Sequence, residues 1–260
     1  KYDTNKFRNF LVNDFNWNYK EIYFESGLKG KILGNLRNLN YETKNEEIYK
    51  DDTTSEILGS LGYLTEIDLQ KEVNGAKHFF VPKLLLRYSP GSMRDEIFGP
   101  RLNPISAFSL DRLDNNYNYE TGLSSTIGFD YKINANNKEF DFSVAQIIND
   151  KENKKMPSKT SLDEKVSDLV GSASYTLNKK IKLNYDFNID QNYKEINYNE
   201  LGTTINFDPI EFSFNYLQEN KHIGAQDLGD QEYFKTKIGF SNNKNGLVTF
   251  ETKRNLITNS

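Results

Sequence analysis

The groups in this chain able to do chemistry are few in kind. There is no cysteine, which removes thiolate nucleophiles, thiolate metal sites and disulfides. The two histidines, His78 and His222, stand far apart in sequence. A serine–histidine pair needs a third orienting group, and no motif supplies one. Both therefore read as surface histidines, and no catalytic residue, metal or cofactor is expected. The adjacent Asp111 and Arg112 read either as a loop-locking ion pair or as exposed charge. The acidic stretch 42–52 has ligands for divalent ions but reads first as solvated loop, as does the Asp-Lys-Glu-Asn-Lys-Lys run at 150–155. With 33 Lys+Arg against 37 Asp+Glu the net charge is −4, so no basic face for nucleic acid is expected.

What remains is a set of charges and apolar groups that alternate with period two. In 181–193, Ile181, Leu183, Tyr185, Phe187 and Ile189 interleave with Lys182, Asn184, Asp186, Asn188 and Asp190. In 117–133, Leu123, Ile127, Phe129 and Tyr131 interleave with Glu120, Ser124, Asp130 and Lys132. Successive side chains of a strand point to opposite faces, so each segment has one apolar and one hydrated face. Weaker versions of the pattern recur along the chain, for about twelve strands and no convincing helix. Many of them exceed the five or six residues of a soluble strand and match the ~9–11 that a tilted outer-membrane strand needs. Short and long connectors also alternate, as in up-and-down outer-membrane barrels and unlike Greek-key sandwiches. The fold class expected is all-β: an antiparallel up-and-down transmembrane β-barrel, roughly twelve strands of a larger barrel.

That architecture assigns faces. Leu123, Ile127, Phe129, Leu183, Phe187 and Ile189 are expected to face lipid. Lys29, Lys83, Arg87, Glu120, Asp130, Lys132, Lys182 and Asp186 are expected to face a lumen and line a substrate path. So many charges would crowd a small barrel, so the lumen is expected to be wide and water-filled. Tyr117, Tyr119, Tyr131 and Tyr193 are placed for interfacial girdles, and Pro82, inside a strand, predicts a bulge or bend.

Several of these segments are familiar in order. FFVPKLLLRYSP at 79–90 leads to AFSLDRL at 107–113, then YETGLSSTIGFDY at 119–131, FDFSVAQI at 140–147 and SDLVG at 167–171. The succession resembles the C-terminal barrel of the LPS-assembly outer-membrane proteins, the LptD (OstA/Imp) family. The resemblance implies transport of lipopolysaccharide (LPS) and its insertion into the outer leaflet of the Gram-negative outer membrane, without catalysis. It also implies a plug lipoprotein in the lumen, periplasmic LPS-bridge proteins meeting an N-terminal jelly roll, and outer-membrane lipids as surroundings. On this reading residues 1–260 are a partial barrel domain from which the jelly roll and terminal strands are absent, with the exit seam between strands outside it. The alternative is a porin or receptor-type barrel for small solutes; a glycan-binding β-sandwich is a third reading.

Overall fold

Residues whose apolar and polar side chains alternate pair, in chain order, into one antiparallel sheet. The computed structural model describes residues 5–113, 115–178, 180–220, 223, 229–242 and 246–258; His222 lies outside them. The elements are β1 (Phe7–Asn18), β2 (Ile22–Tyr23), β3 (Leu28–Lys44), β4 (Thr54–Ile67), β5 (Leu69–Val73), β6 (Ala76–Ser89), helix α1 (Pro104–Ala107), β7 (Gly122–Ala135), β8 (Lys138–Asn149), β9 (Leu169–Leu177), β10 (Ile181–Ile189), β11 (Ile196–Phe207), β12 (Ile210–Glu219), β13 (Gln231–Asn242) and β14 (Gly246–Asn255). Twelve strands form the path β1-β3-β4-β6-β7-β8-β9-β10-β11-β12-β13-β14, with the short β2 on β3 and β5 on β6. This is the all-β, up-and-down wall that the alternation calls for. Among the described residues no ladder joins β1 to β14, so the sheet is open.

Because every step is antiparallel, the connectors leave alternately from two rims. Tight turns follow β5, β7, β9 and β11, while the 90–121 and 150–168 loops leave from the opposite rim. The tight turns use residues that tolerate positive φ: Asn74 and Gly75 sit at φ 51° and 76°, as a two-residue hairpin of the primed type requires.

Pro82 marks an interruption rather than a bulge. Glu66 pairs Lys83 and Leu69 pairs Phe80, so Ile67 and Asp68 would face Pro82 and Val81, and there the ladder is broken. Proline has no N–H to donate. β4 and β5 are thus one strand cut at the height of Pro82, while the β6–β7 ladder on the other side runs through it unbroken.

One further difference concerns the start of β7. The alternation runs from residue 117, but the strand begins at Gly122. Residues 117–121 peel off the sheet and join the loop before them, because the side chains there find partners inside the wall's concave face.

Candidate functional site

The inner parity of β8 and β9 is not uniformly polar. Ala145, Ile147 and Val170 are completely buried there, covered by Met93, Leu102, Ala107 and Leu113 of the 90–121 loop and by Met156 and Leu162 of the 150–168 loop. Two loops that leave the long-loop rim therefore fold back onto this face of the sheet, driven by burial of apolar surface. Helix α1 gives the first loop a fixed shape. Asn103 caps it by accepting from the Ile105 and Ser106 amides, the Ser106 hydroxyl oxygen accepts in return from the Asn103 backbone N–H in a capping box, and Pro104 occupies the first turn. The wall holds the helix: Thr126 Oγ1 donates to the Ala107 carbonyl at 2.9 Å, and Asn188 Nδ2 donates to the Leu102 carbonyl at 3.2 Å. Farther round, Arg101 pairs with Glu219 of β12 and stacks 4.1 Å from the Tyr198 ring of β11.

The other end of the loop carries a buried ionic lock. Arg37 of β3 makes a bidentate pair with Asp14 of β1 at 2.7 and 3.0 Å, and its Nη2 also donates to Asp111 at 3.1 Å. Its Nη1 donates to the Asn115 and Asn118 carbonyls. Arg112 donates to both Glu120 carboxylate oxygens and to Ser124 Oγ. Arg87 of β6 donates to the Leu110 and Glu120 carbonyls at 2.7 and 2.6 Å, with its Nη1 3.8 Å from the Glu120 carboxylate. Between the Arg37 and Arg87 guanidiniums, at 5.5 and 5.8 Å, lies the Tyr119 ring, whose hydroxyl meets Ser60 Oγ at 2.9 Å. Burial opposes the charge on Glu120, but Arg112 and then Arg87 outweigh it and hold the carboxyl below the ordinary glutamate range. Asp111 moves the other way: burial pushes it up, against Arg37.

These contacts revise several sequence expectations. Arg87 and Glu120 are only 1% and 3% exposed, so neither is a hydrated lumen group; the folded loop seals both. Tyr119 is fully buried and is no girdle residue, and Tyr117 packs on Phe10 at 4.3 Å. Asp111 and Arg112 do lock the loop, but to Arg37 and Glu120 instead of to each other. Lys29 pairs with Asp68, and Lys83 with Asp130, while Lys132 lies 3.0 Å from Glu139 and 3.5 Å from Asp141. All three are partly open to solvent, where such pairs contribute little. Lys182 and Asp186 share the inner parity of β10 with Asn188. On the other parity, Leu123 and Ile127 are 50% and 52% exposed. Phe129 and Phe187 lie in one register row with Pro82, Val144 and Gly171. The Phe187 ring covers Gly171 so closely that a Cβ there would sit 2.1 Å from it. Leu183 is exposed and Ile189 half-buried on that parity.

Arg37, Asp14, Arg101 and Glu219 were not distinguishable from other charges in the sequence. A usable signal was present in β8, where Ala145 and Ile147 interrupt the polar parity of Asp141, Ser143 and Asn149. An apolar patch on a lumen face must be covered by something.

An open up-and-down wall of membrane-length strands, apolar on the outside and holding its own loop within, defines the class: a β-barrel protein of the outer-membrane type. Residues 35–246, from within β3 to the first residue of β14 and through both inward loops, match the family model LptD, described as LPS transport system D. The chain belongs to the LptD family, whose members work in LPS transport and assembly at the outer membrane. No curated protein matches it.

Proposed function

We propose that residues 1–260 form part of the barrel wall through which LPS is inserted into the outer leaflet of the outer membrane. The observation that carries this reading is the succession of antiparallel ladders in chain order, with large apolar side chains on one parity and charges on the other, in a chain of the LptD family. Leu123, Ile127, Phe129, Leu183, Phe187 and Ile189 then face lipid, and Lys29, Lys83, Asp130, Lys132, Lys182 and Asp186 face the route of the sugar portion, with Arg87 and Glu120 beneath the loop. A plug lipoprotein occupies lumen space that the loop leaves, and bridge proteins deliver LPS from the periplasm through a jelly roll outside this segment. The wall does no chemistry on LPS.

The free edges of β1 and β14 cannot face hydrocarbon unpaired, so further strands complete the barrel. The exit seam lies among those, because opening any ladder inside the segment breaks many hydrogen bonds that lipid cannot replace. The test is surface delivery of LPS by the full-length protein. Disulfide-locking β7 to β8 should leave delivery intact, and an arrest of transport by that lock would move the seam into this segment.

A further inference from the structure

Where helix α1 stands off from the lumen face, it leaves a cavity of about 410 Å³. Its floor is a row on three adjacent strands, Ser143, Ser172 and Asp186, which are direct register partners on β8, β9 and β10. One step along, Asn188 and Tyr198 continue the floor, and residues 101–105 form the roof. Strands ~4.8 Å apart set the hydroxyl, hydroxyl and carboxylate at regular intervals. The roof holds its place without this row: Arg101 is committed to Glu219, Asn103 to the helix cap, and the Asn188 amide to the Leu102 carbonyl. Ser143 is turned toward Asp130. Ser172 and Asp186 make no hydrogen bond and no ion pair among the described residues, although both line the cavity.

A half-enclosed site with a free carboxylate, a free hydroxyl and one aromatic wall suits a ligand rich in hydroxyl donors. An apolar chain would leave those groups unpaired, at the cost of a buried unsatisfied polar group. A phosphate would meet the Asp186 charge. We propose that this cavity is a carbohydrate subsite for the sugar portion of LPS, with Asp186 accepting from sugar hydroxyls, Ser172 donating to or accepting from them, and Tyr198 walling the site. The proposal rests on the LPS-transport reading and adds where along that route the sugar portion is held, and by which groups.

The experiment places a photo-crosslinking amino acid in the full-length protein, in cells, at Ser172, at Lys182 and at Tyr175. Lys182 shares the inner face outside the cavity, and Tyr175 lies on the outer parity. LPS adducts are expected at Ser172 and should fall about tenfold in Asp186→Ala, the loss of one hydrogen bond to a charged group. Since Asp186 has no hydrogen-bond or ion-pair partner among the described residues, that variant should assemble normally, judged by heat-modifiable migration. Purified complex should also show saturation-transfer NMR from deacylated LPS oligosaccharide, reduced in Asp186→Asn. Adducts at Lys182 with none at Ser172 would overturn the subsite and leave the lumen route standing. Adducts at none of the inner positions would remove the lumen route itself. Transfer from intact LPS but none from the oligosaccharide would overturn the assignment to sugar.

Discussion

Glu120 is the residue on which the lock turns, since two buried arginines depend on one carboxylate. Removing it in Glu120→Ala leaves Arg112 and Arg87 without a counter-charge, which should cost about 3–5 kcal/mol, read as a lower urea midpoint of the refolded barrel. Its pH behaviour follows from the sign of its shift. A carboxyl held below its unfolded value contributes stability above the ordinary glutamate range and loses it as pH falls through the lower, folded value. Asp111, pushed up by burial, acts oppositely: acidification through its own range favours the folded state. Proteolysis of the 90–121 loop should therefore rise only below the ordinary glutamate range. The rise should persist in Asp111→Asn and be absent from Glu120→Gln, which starts from lower stability. Protection that holds at all acid pH in the parent would remove Glu120 from this role.

At the level of elements, parity decides what a charge costs. Ile127→Arg puts a guanidinium on the outward parity of β7 and should destabilise the barrel by ~2–4 kcal/mol if the site lies near the bilayer midplane, measured by unfolding from lipid vesicles. Pro82→Ala restores a donor, so the ladder should close and the amides around Ile67–Asp68 gain protection from hydrogen exchange. Unchanged exchange would trace the break to Asp68 and its pairing with Lys29. Much of the wall was legible beforehand because alternation is a local signal: the number of strands on the path, their order and the two rims all follow from period two and turn residues. The loop was not. Its partners lie far off in sequence, as Arg37 does from Asp111 and Arg101 from Glu219. Nothing in a charged loop residue's neighbours tells whether it faces water or a distant arginine. Even so, the start of β7 was misplaced for a related reason, since Tyr119 and Glu120 keep the strand's alternation while serving the lock.

For the molecule as a whole, the loop is a cross-brace inside the curved sheet, touching β3 through Arg37 at one end and β12 through Glu219 at the other. Replacing residues 94–118 by a short Gly-Ser linker in the full-length protein should open the lumen and admit large hydrophilic antibiotics that the parent excludes. Parent-level resistance in that variant would show that another element seals the pore. The brace also imposes a timetable. When the polypeptide has been laid down only as far as the loop, β8, β10 and β12 do not yet exist to receive it. Contacts between residues so distant in sequence form slowly, so the loop must wait, its apolar residues uncovered, until most of the wall stands. Seating it is then a late event that only a correctly registered wall permits. A one-residue slip of β10 or β12 would turn Asn188 or Glu219 to the opposite face of the sheet and leave the α1 turn or Arg101 without a berth, so the loop inspects the register of strands built long after it.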